Sequence, residues 1–454
     1  MGSTASRDAI NRVGRIARKV SGPYFRAVHK CLAFLTTVVL VSLSSIQLLR
    51  CQHQVVPVVP GDVRMEAYLP LLANRHVGVV CNHTAVIEGA SGGVHLVDSL
   101  LARGVKVGAA FAPEHGFRGR AAAGAHIENG VDPVSGIAIH SLYGRTKKPT
   151  PEMLAGLDIL VFDIQDVGAR FYTYLSTLHY VMEAAAENGL PLILLDRPNP
   201  NSKLCDGPIL DTNFRSFVGM HPIPLAHGMT LGELATMING EGWIASPCDL
   251  TVIDCTGWNR SMDWPVPIAP SPNLPDANSI SLYPSLCLFE ATRASIGRGT
   301  EHPFGCVGYP GFPNGSFQFT PESCEAAPSP KYEGQLCNGQ RLLADSPTEA
   351  ASPAMPAMPA ELQLGHLIDY RLAWLLESDS MLESNSRTPA VDGAPSVDRP
   401  AFIDRPDFFD KLAGTDELRR SIQAGHPIET IRANWAPGIA AFKERRAPYL
   451  RYPE

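Results

Sequence analysis

No GxGxxG, GxxxxGK[ST] or HExxH segment occurs in these 454 residues. The glycine-rich phosphate cradles of dinucleotide and nucleotide enzymes, and the two-histidine zinc helix of metalloproteases, are therefore missing together. The ten cysteines form no CxxC pair and no spaced Cys/His quartet, so no structural zinc site is expected. Beyond the first thirty residues there is no dense Lys/Arg patch, and the formal net charge is -7. Phosphate binding draws on clustered positive charge, so nucleic acid is not an expected partner. One GxSxG does occur, GASGG at 89–93, but residues 82–90 separate Ser91 from the nearest apolar run. A nucleophile elbow seats its serine directly after a strand, and Ser141 and Ser271 lack the motif, so a serine esterase is disfavoured.

What is present is ordinary globular material, 45% hydrophobic and 18% charged, enough for two cores of usual domain size. Residues 1–30 are basic, and residues 31–49 carry no charge at all. That stretch is long for a signal-peptide core and just long enough to cross a bilayer. A signal anchor or signal peptide is expected there, which would make the protein membrane-anchored or secreted with its body on the extracytoplasmic or lumenal side. Cys324 and Cys337 flank a loop-like stretch, and their spacing leaves pairing in an oxidising compartment open.

Between residues 76 and 196 one rhythm repeats: an aliphatic run, a polar cluster, then helical spacing. The runs at 77–81, 105–111, 136–140, 158–164 and 190–196 are apolar on both faces, which suits a parallel sheet covered by helices. In 172–189, Leu175, Leu178, Met182 and Ala185 make a helical stripe that Asn188 and Gly189 stop. The fold expected is α/β: a Rossmann-like parallel-sheet domain over 62–262, then a smaller α+β C-terminal domain over 263–454. From about Thr251 the rhythm breaks, and the proline-rich 264–284 reads as an extended crossing segment. Low-complexity insertions are expected near 346–361 and 383–400.

A polar cluster follows each run: NHT (82–84), PEHGF (113–117), SLYG (141–144), QDVGARFY (165–172) and RPNP (197–200). Ligands bind outside the carboxyl ends of parallel strands, so these clusters converge on one crevice. Glu114, after a buried run and beside apolar Phe111 and Phe117, is expected to be partly desolvated, with the raised pKa that a general acid near neutral pH requires. A turn cap, or a pair with Arg118 or Arg120, is the competing role. Tyr143, Phe171, Tyr172, Tyr174 and Trp264 offer aromatic faces for a sugar ring, or for ordinary packing. Neither a metal nor another cofactor is expected.

The segments CNHTAV, FAPEHGFRG, KPTPEML, LVFDIQDVGARFYTY, LDRPNP, HPIPLAHGMTLGELA, SPNLP and LFEATRASIGRGTEHPF resemble, in order, the signatures of the exo-β-N-acetylmuramidase family of glycoside hydrolases. The resemblance implies release of terminal N-acetylmuramic acid from peptidoglycan-derived saccharides in the interdomain cleft. It implies Glu114 as catalytic acid/base. Asn82, His83, His115, Gln165, Arg170, Tyr172, Asp196, Arg197 and Asn199 are then substrate-binding candidates, followed by His227, Asn273, Glu290, Arg298 and Thr300. An arginine among them would suit the lactyl carboxylate of the sugar. For the second catalytic group, Asp163, Asp166, Glu290 and the 2-acetamido group of the substrate itself all stand open. The alternative function is a noncatalytic amino-sugar or peptidoglycan-fragment binding protein using the same cleft.

Overall fold

In the computed structural model, which describes residues 57–87, 93–118, 129–313, 315–343, 359–385 and 401–454, all five predicted runs become strands of one seven-stranded sheet. In chain order the strands are β1 (His76–Cys81), β2 (Lys106–Ala112), β3 (Gly130–Val131), β4 (Ala138–Ser141), β5 (Ile159–Asp163), β6 (Leu192–Leu195) and β7 (Leu250–Ile253). Across the sheet they lie β7-β6-β5-β1-β2-β4-β3, every pair parallel except the edge pair β3/β4. The chain leaves β1 toward β2 and β4, then crosses back to β5 and onward to β7. The order reverses between β1 and β5, the switch point at which open α/β sheets bind ligands.

Alternation along the strands divides the interior. Val77, Val79, Cys81, Ala110, Ala112, Val161 and Ile193 pack on one face under α1 (Leu96–Ala102). Val80, Phe111, Leu160, Phe162, Leu192 and Leu194 pack on the other under α2 (Tyr174–Asn188) and α3 (Leu231–Gly240). The predicted α2 stripe is buried throughout, and the helix stops at Gly189, whose φ of 65° releases the backbone into the left-handed turn. A capping box between Thr230 and Glu233 opens α3.

Two expectations need correction. The sheet does not end before Thr251: Leu250–Ile253 is its last strand, paired to β6. The proline-rich segment is not extended throughout either, because Ala277–Leu286 forms α4, opened by a capping box between Asp276 and Ser279. Pro284 sits inside this helix, and the carbonyl of Ile280 that it cannot satisfy accepts a 3.1 Å bond from Asn201 Nδ2.

The C-terminal part adds an antiparallel sheet of β8 (Cys306–Tyr309), β9 (Phe317–Phe319) and β10 (Cys337–Arg341), in the order β8-β10-β9. It also supplies α5 (Gly365–Asn385), α6 (Pro406–Ala413), α7 (Glu417–Gln423) and α8 (Ile428–Arg446). The core under α2 and α3 runs on without a break to Phe289, Tyr370, Phe409 and Phe442, so residues 58–454 form one compact unit. Cys324 and Cys337 are both free thiols, the first exposed and the second buried. The anchor at 31–49 and most of the two low-complexity stretches lie outside the described residues, although 383–385 belong to α5. Among the described residues no helix is long and apolar enough to cross a membrane.

Candidate active site

The chain turns sharply after β2. The carbonyl of Pro113 accepts the Gly116 N–H at 3.0 Å, and both His115 (φ 70°) and Gly116 (φ 78°) take left-handed backbone. A histidine in that region is strained, which the tight turn imposes. The turn sets Glu114 on the wall of a cleft of about 450 Å³. Thr173 Oγ1 donates to Glu114 Oε2 at 2.7 Å, and the Tyr143 hydroxyl bonds the same carboxylate, which together with burial raises the tyrosine's pKa. Arg118, the competing ion partner, is spent on Asp98 and Asp132 at 3.1 and 2.7 Å.

Of the residues predicted for the site, the cleft brings together Glu114, His115, Tyr172, Asn273, Glu290 and Arg298. Tyr172 donates to the Pro270 carbonyl at 2.8 Å and holds its ring edge-on to Tyr174 and Tyr283. Asn273 Nδ2 donates to the Ala326 carbonyl at 2.8 Å. Arg298 grips Glu290 through Nε and Nη2 at 2.8 and 2.6 Å, with its guanidinium 5.0 Å over the Phe304 ring. A neighbouring cavity of about 630 Å³ shares Glu290, Arg298 and Arg405 with the cleft.

The other predicted residues do not line the cleft, and each is tied up by the fold. Asp163 is fully buried and held bidentately by Arg197 at 2.6 and 3.0 Å. Arg197 Nη2 also bonds Asp62 at 2.8 Å, a third member of the cluster that sequence reading missed. Arg170 is fully buried as well. It donates to the carbonyls of Pro208, Ile223, Leu412 and Ala413 at 2.7 to 3.0 Å, so it staples backbone instead of gripping a substrate carboxylate. Gly414, with φ 76°, ends α6 against that guanidinium, where a Cβ would sit 2.5 Å from Nη2.

Internal bonds also claim the amides. Asn82 donates to Tyr174 at 2.8 Å and accepts from Thr84, while Gln165 bridges the carbonyls of Asp166 and Pro198 and accepts from Trp264. Asn199 spans Met229 and Asn201. His83 Nε2 faces the Ala269 carbonyl at 2.8 Å, and Thr300 closes its own turn on Gly297. His227 accepts from the Met229 N–H, and burial pulls its pKa down to about 3.

Three buried carboxyls are displaced the other way. Desolvation raises Asp62 to about 6, Asp166 to about 7 and Asp196 to about 7, the last although it accepts from Thr230, Gly232 and Tyr452. A carboxyl whose pKa is raised by folding stabilises the fold below the unfolded value near 4, and that contribution is lost as pH rises through the folded value. Asp166 uses Oδ2 for the Gly168 N–H at 2.7 Å, while its buried Oδ1 accepts no hydrogen bond among the described residues. Asp166→Asn keeps the accepting oxygen and removes the charge. It is expected to flatten the fall in stability between pH 4 and 7 and to add on the order of 2 to 4 kcal/mol at pH 8. Urea unfolding across that range checks this; an unchanged pH profile counts against it.

Sequence reading missed several residues of the wall, among them Thr173, Phe217, Tyr283, Arg405 and Phe408. Thr173 lies inside the motif ARFYTY and was within reach; Arg405 and Phe408 follow a low-complexity stretch and carry no local signal. Among the described residues no three His, Cys, Asp or Glu side chains are placed to share a metal ion. The site is thus an aromatic-walled cleft with one carboxylate between two hydroxyls and a second locked to an arginine.

Two family models span nearly all of the described chain: Exo-beta-N-acetylmuramidase NamZ, N-terminal, over residues 77–278, and its C-terminal counterpart over residues 281–452. The chain is 42% identical over 297 residues to the peptidoglycan beta-N-acetylmuramidase NamZ of Bacillus subtilis (strain 168), covering 62% of this chain and 71% of that protein. Among solved structures, a DUF1343 family protein from Bacteroides fragilis NCTC 9343 superposes with a TM-score of 0.73 at 38% identity, over 88% of this chain and 99% of that one. A second DUF1343 protein from the same organism gives 0.68 at 28% identity, over 87% and 99%.

Proposed function

The chain belongs to the exo-beta-N-acetylmuramidase NamZ family and is a glycoside hydrolase, and from that premise we propose that it releases terminal N-acetylmuramic acid from peptidoglycan saccharides, with Glu114 as the general acid and base. The observation that carries the residue assignment is the seat of Glu114: on the cleft wall, between the hydroxyls of Thr173 and Tyr143, at the end of a buried strand. Hydroxyl neighbours can donate to the ionised carboxylate or accept from the acid, so the group can change protonation without leaving its place.

In the first step the Glu114 carboxyl gives its proton to the glycosidic oxygen as the C1–O bond breaks. In the second, the carboxylate takes a proton from the water that adds at C1. The cleft offers little as a conventional partner carboxylate. Glu290 shares the cavity but is held by Arg298, while Asp163 is held by Arg197 and Asp166 is buried behind the Gly168 turn. We infer that the 2-acetamido oxygen of the substrate attacks C1 in the first step, giving a cyclic oxazolinium that the water opens with net retention.

The test is hydrolysis of an aryl N-acetylmuramide by the full chain, with the matching N-acetylglucosaminide as control. Release from the muramide, at a rate well above that from the control, is the expected result; release from neither overturns the proposal.

A further inference from the structure

We propose that Arg405 reads the lactyl carboxylate of the terminal sugar and so separates N-acetylmuramic acid from N-acetylglucosamine, an inference that rests on the activity proposed above. The two sugars differ by one 3-O-lactyl ether, which brings one negative charge. A carboxylate entering an aromatic-walled cleft needs a cation that no protein carboxylate has already claimed.

The cations of the predicted site and those that line the two cavities can be taken in turn. Arg170 and Arg197 are consumed in the interior by four carbonyls and by two carboxylates. Arg298 lines the cleft, but Nε and Nη2 are both on Glu290, so that pair brings no net charge. Lys331 lines only the adjoining cavity and gives its ammonium to the carbonyls of Thr292 and Ala294. Arg405 is different: among the described residues its guanidinium forms no ion pair, and it lines both the cleft and the adjoining cavity.

Arg405 is exposed, yet it is well anchored. Its N–H donates to the Ala291 carbonyl at 3.2 Å, and its own carbonyl accepts the N–H groups of Phe408 and Phe409 at 3.1 and 2.9 Å, at the entry to α6. The guanidinium lies 4.4 Å from the centre of the Phe408 ring, itself part of the cleft wall. A guanidinium held over a ring still has N–H groups to offer a carboxylate in bidentate fashion.

The experiment measures kcat/KM of the full-length protein, Arg405→Gln and Arg405→Lys on three probes: an aryl N-acetylmuramide, its lactyl methyl ester and the aryl N-acetylglucosaminide. The wild type is expected to prefer the acid to the ester. Arg405→Gln should lose roughly thirtyfold on the acid, mostly in KM, and far less on the ester and the glucosaminide. Arg405→Lys keeps the charge without the fork and should fall between the two. If Arg405→Gln keeps the wild-type discrimination between acid and ester, the inference is overturned. If the wild type turns over no muramide, the activity reading falls by itself. Calorimetric binding of free N-acetylmuramic acid and its methyl ester to wild type and Arg405→Gln then decides the role of Arg405, and equal affinities in both proteins overturn it.

Discussion

Glu114→Gln is expected to lower kcat on an unactivated muramyl saccharide by roughly a hundredfold to a thousandfold. Glutamine keeps the shape, and its carbonyl still accepts from one of the two hydroxyls that flank the native carboxylate, Thr173 or Tyr143. It has no proton to give to the glycosidic oxygen. The melting temperature and the affinity for N-acetylmuramic acid should therefore stay close to those of the wild type while turnover collapses. The leaving group supplies an internal control. An aryl glycoside with an acidic phenol needs less protonation as its bond breaks, so the variant should lose distinctly less on that substrate. A uniform loss on both substrates would point to a positional role for Glu114, and undiminished turnover would remove it from the chemistry.

The second large effect belongs to stability. Arg197→Met leaves Asp163 and Asp62 facing each other in the interior, with the cation that bridged them gone. Removing one partner of a buried ion cluster costs about 3 to 5 kcal/mol because the remaining charges stay desolvated. That is a large part of the total stability of most folded chains. The loss should be larger at pH 8 than at pH 5, because Asp62, which burial raises to about 6 even beside the cation, takes up a proton at the lower value. Adding Asp163→Asn and Asp62→Asn to Arg197→Met should recover much of the deficit. Urea unfolding of the single and triple variants at pH 5 and pH 8 distinguishes this from a simple loss of packing, which would be the same at both values.

The two arginines explain how far the sequence could be read. Strands such as Val77–Cys81 were legible because burial on both faces writes an unbroken aliphatic run, and α2 because its stripe repeats at helical spacing. The edge strand Gly130–Val131 was not, since both residues are exposed and nothing selects their identity. β7 reads intermediate, exposed, intermediate, buried, too weak a pattern to announce a strand. Each polar cluster does follow a strand, yet only PEHGF, SLYG and QDVGARFY send residues to the cleft wall, while NHT and RPNP send none. A sequence shows that Arg170 is polar; it does not show four carbonyls closing around it. The same limit hid Arg405, whose relevance depends on where α6 docks.

The Arg170 staple also bears on how the molecule assembles. Its bonds to Leu412 and Ala413 span 242 and 243 residues of chain, so they join segments that meet only once the chain has been made as far as α6. Loops of that length close slowly and late, after the entropy of ordering the intervening chain has been met. The wall carrying Arg405, Phe408 and Leu412 is put in place by that same closure. A ribosome-bound chain with its sheet already formed would still have an open, one-sided groove, and hydrolytic competence would arrive abruptly with the docking of α6.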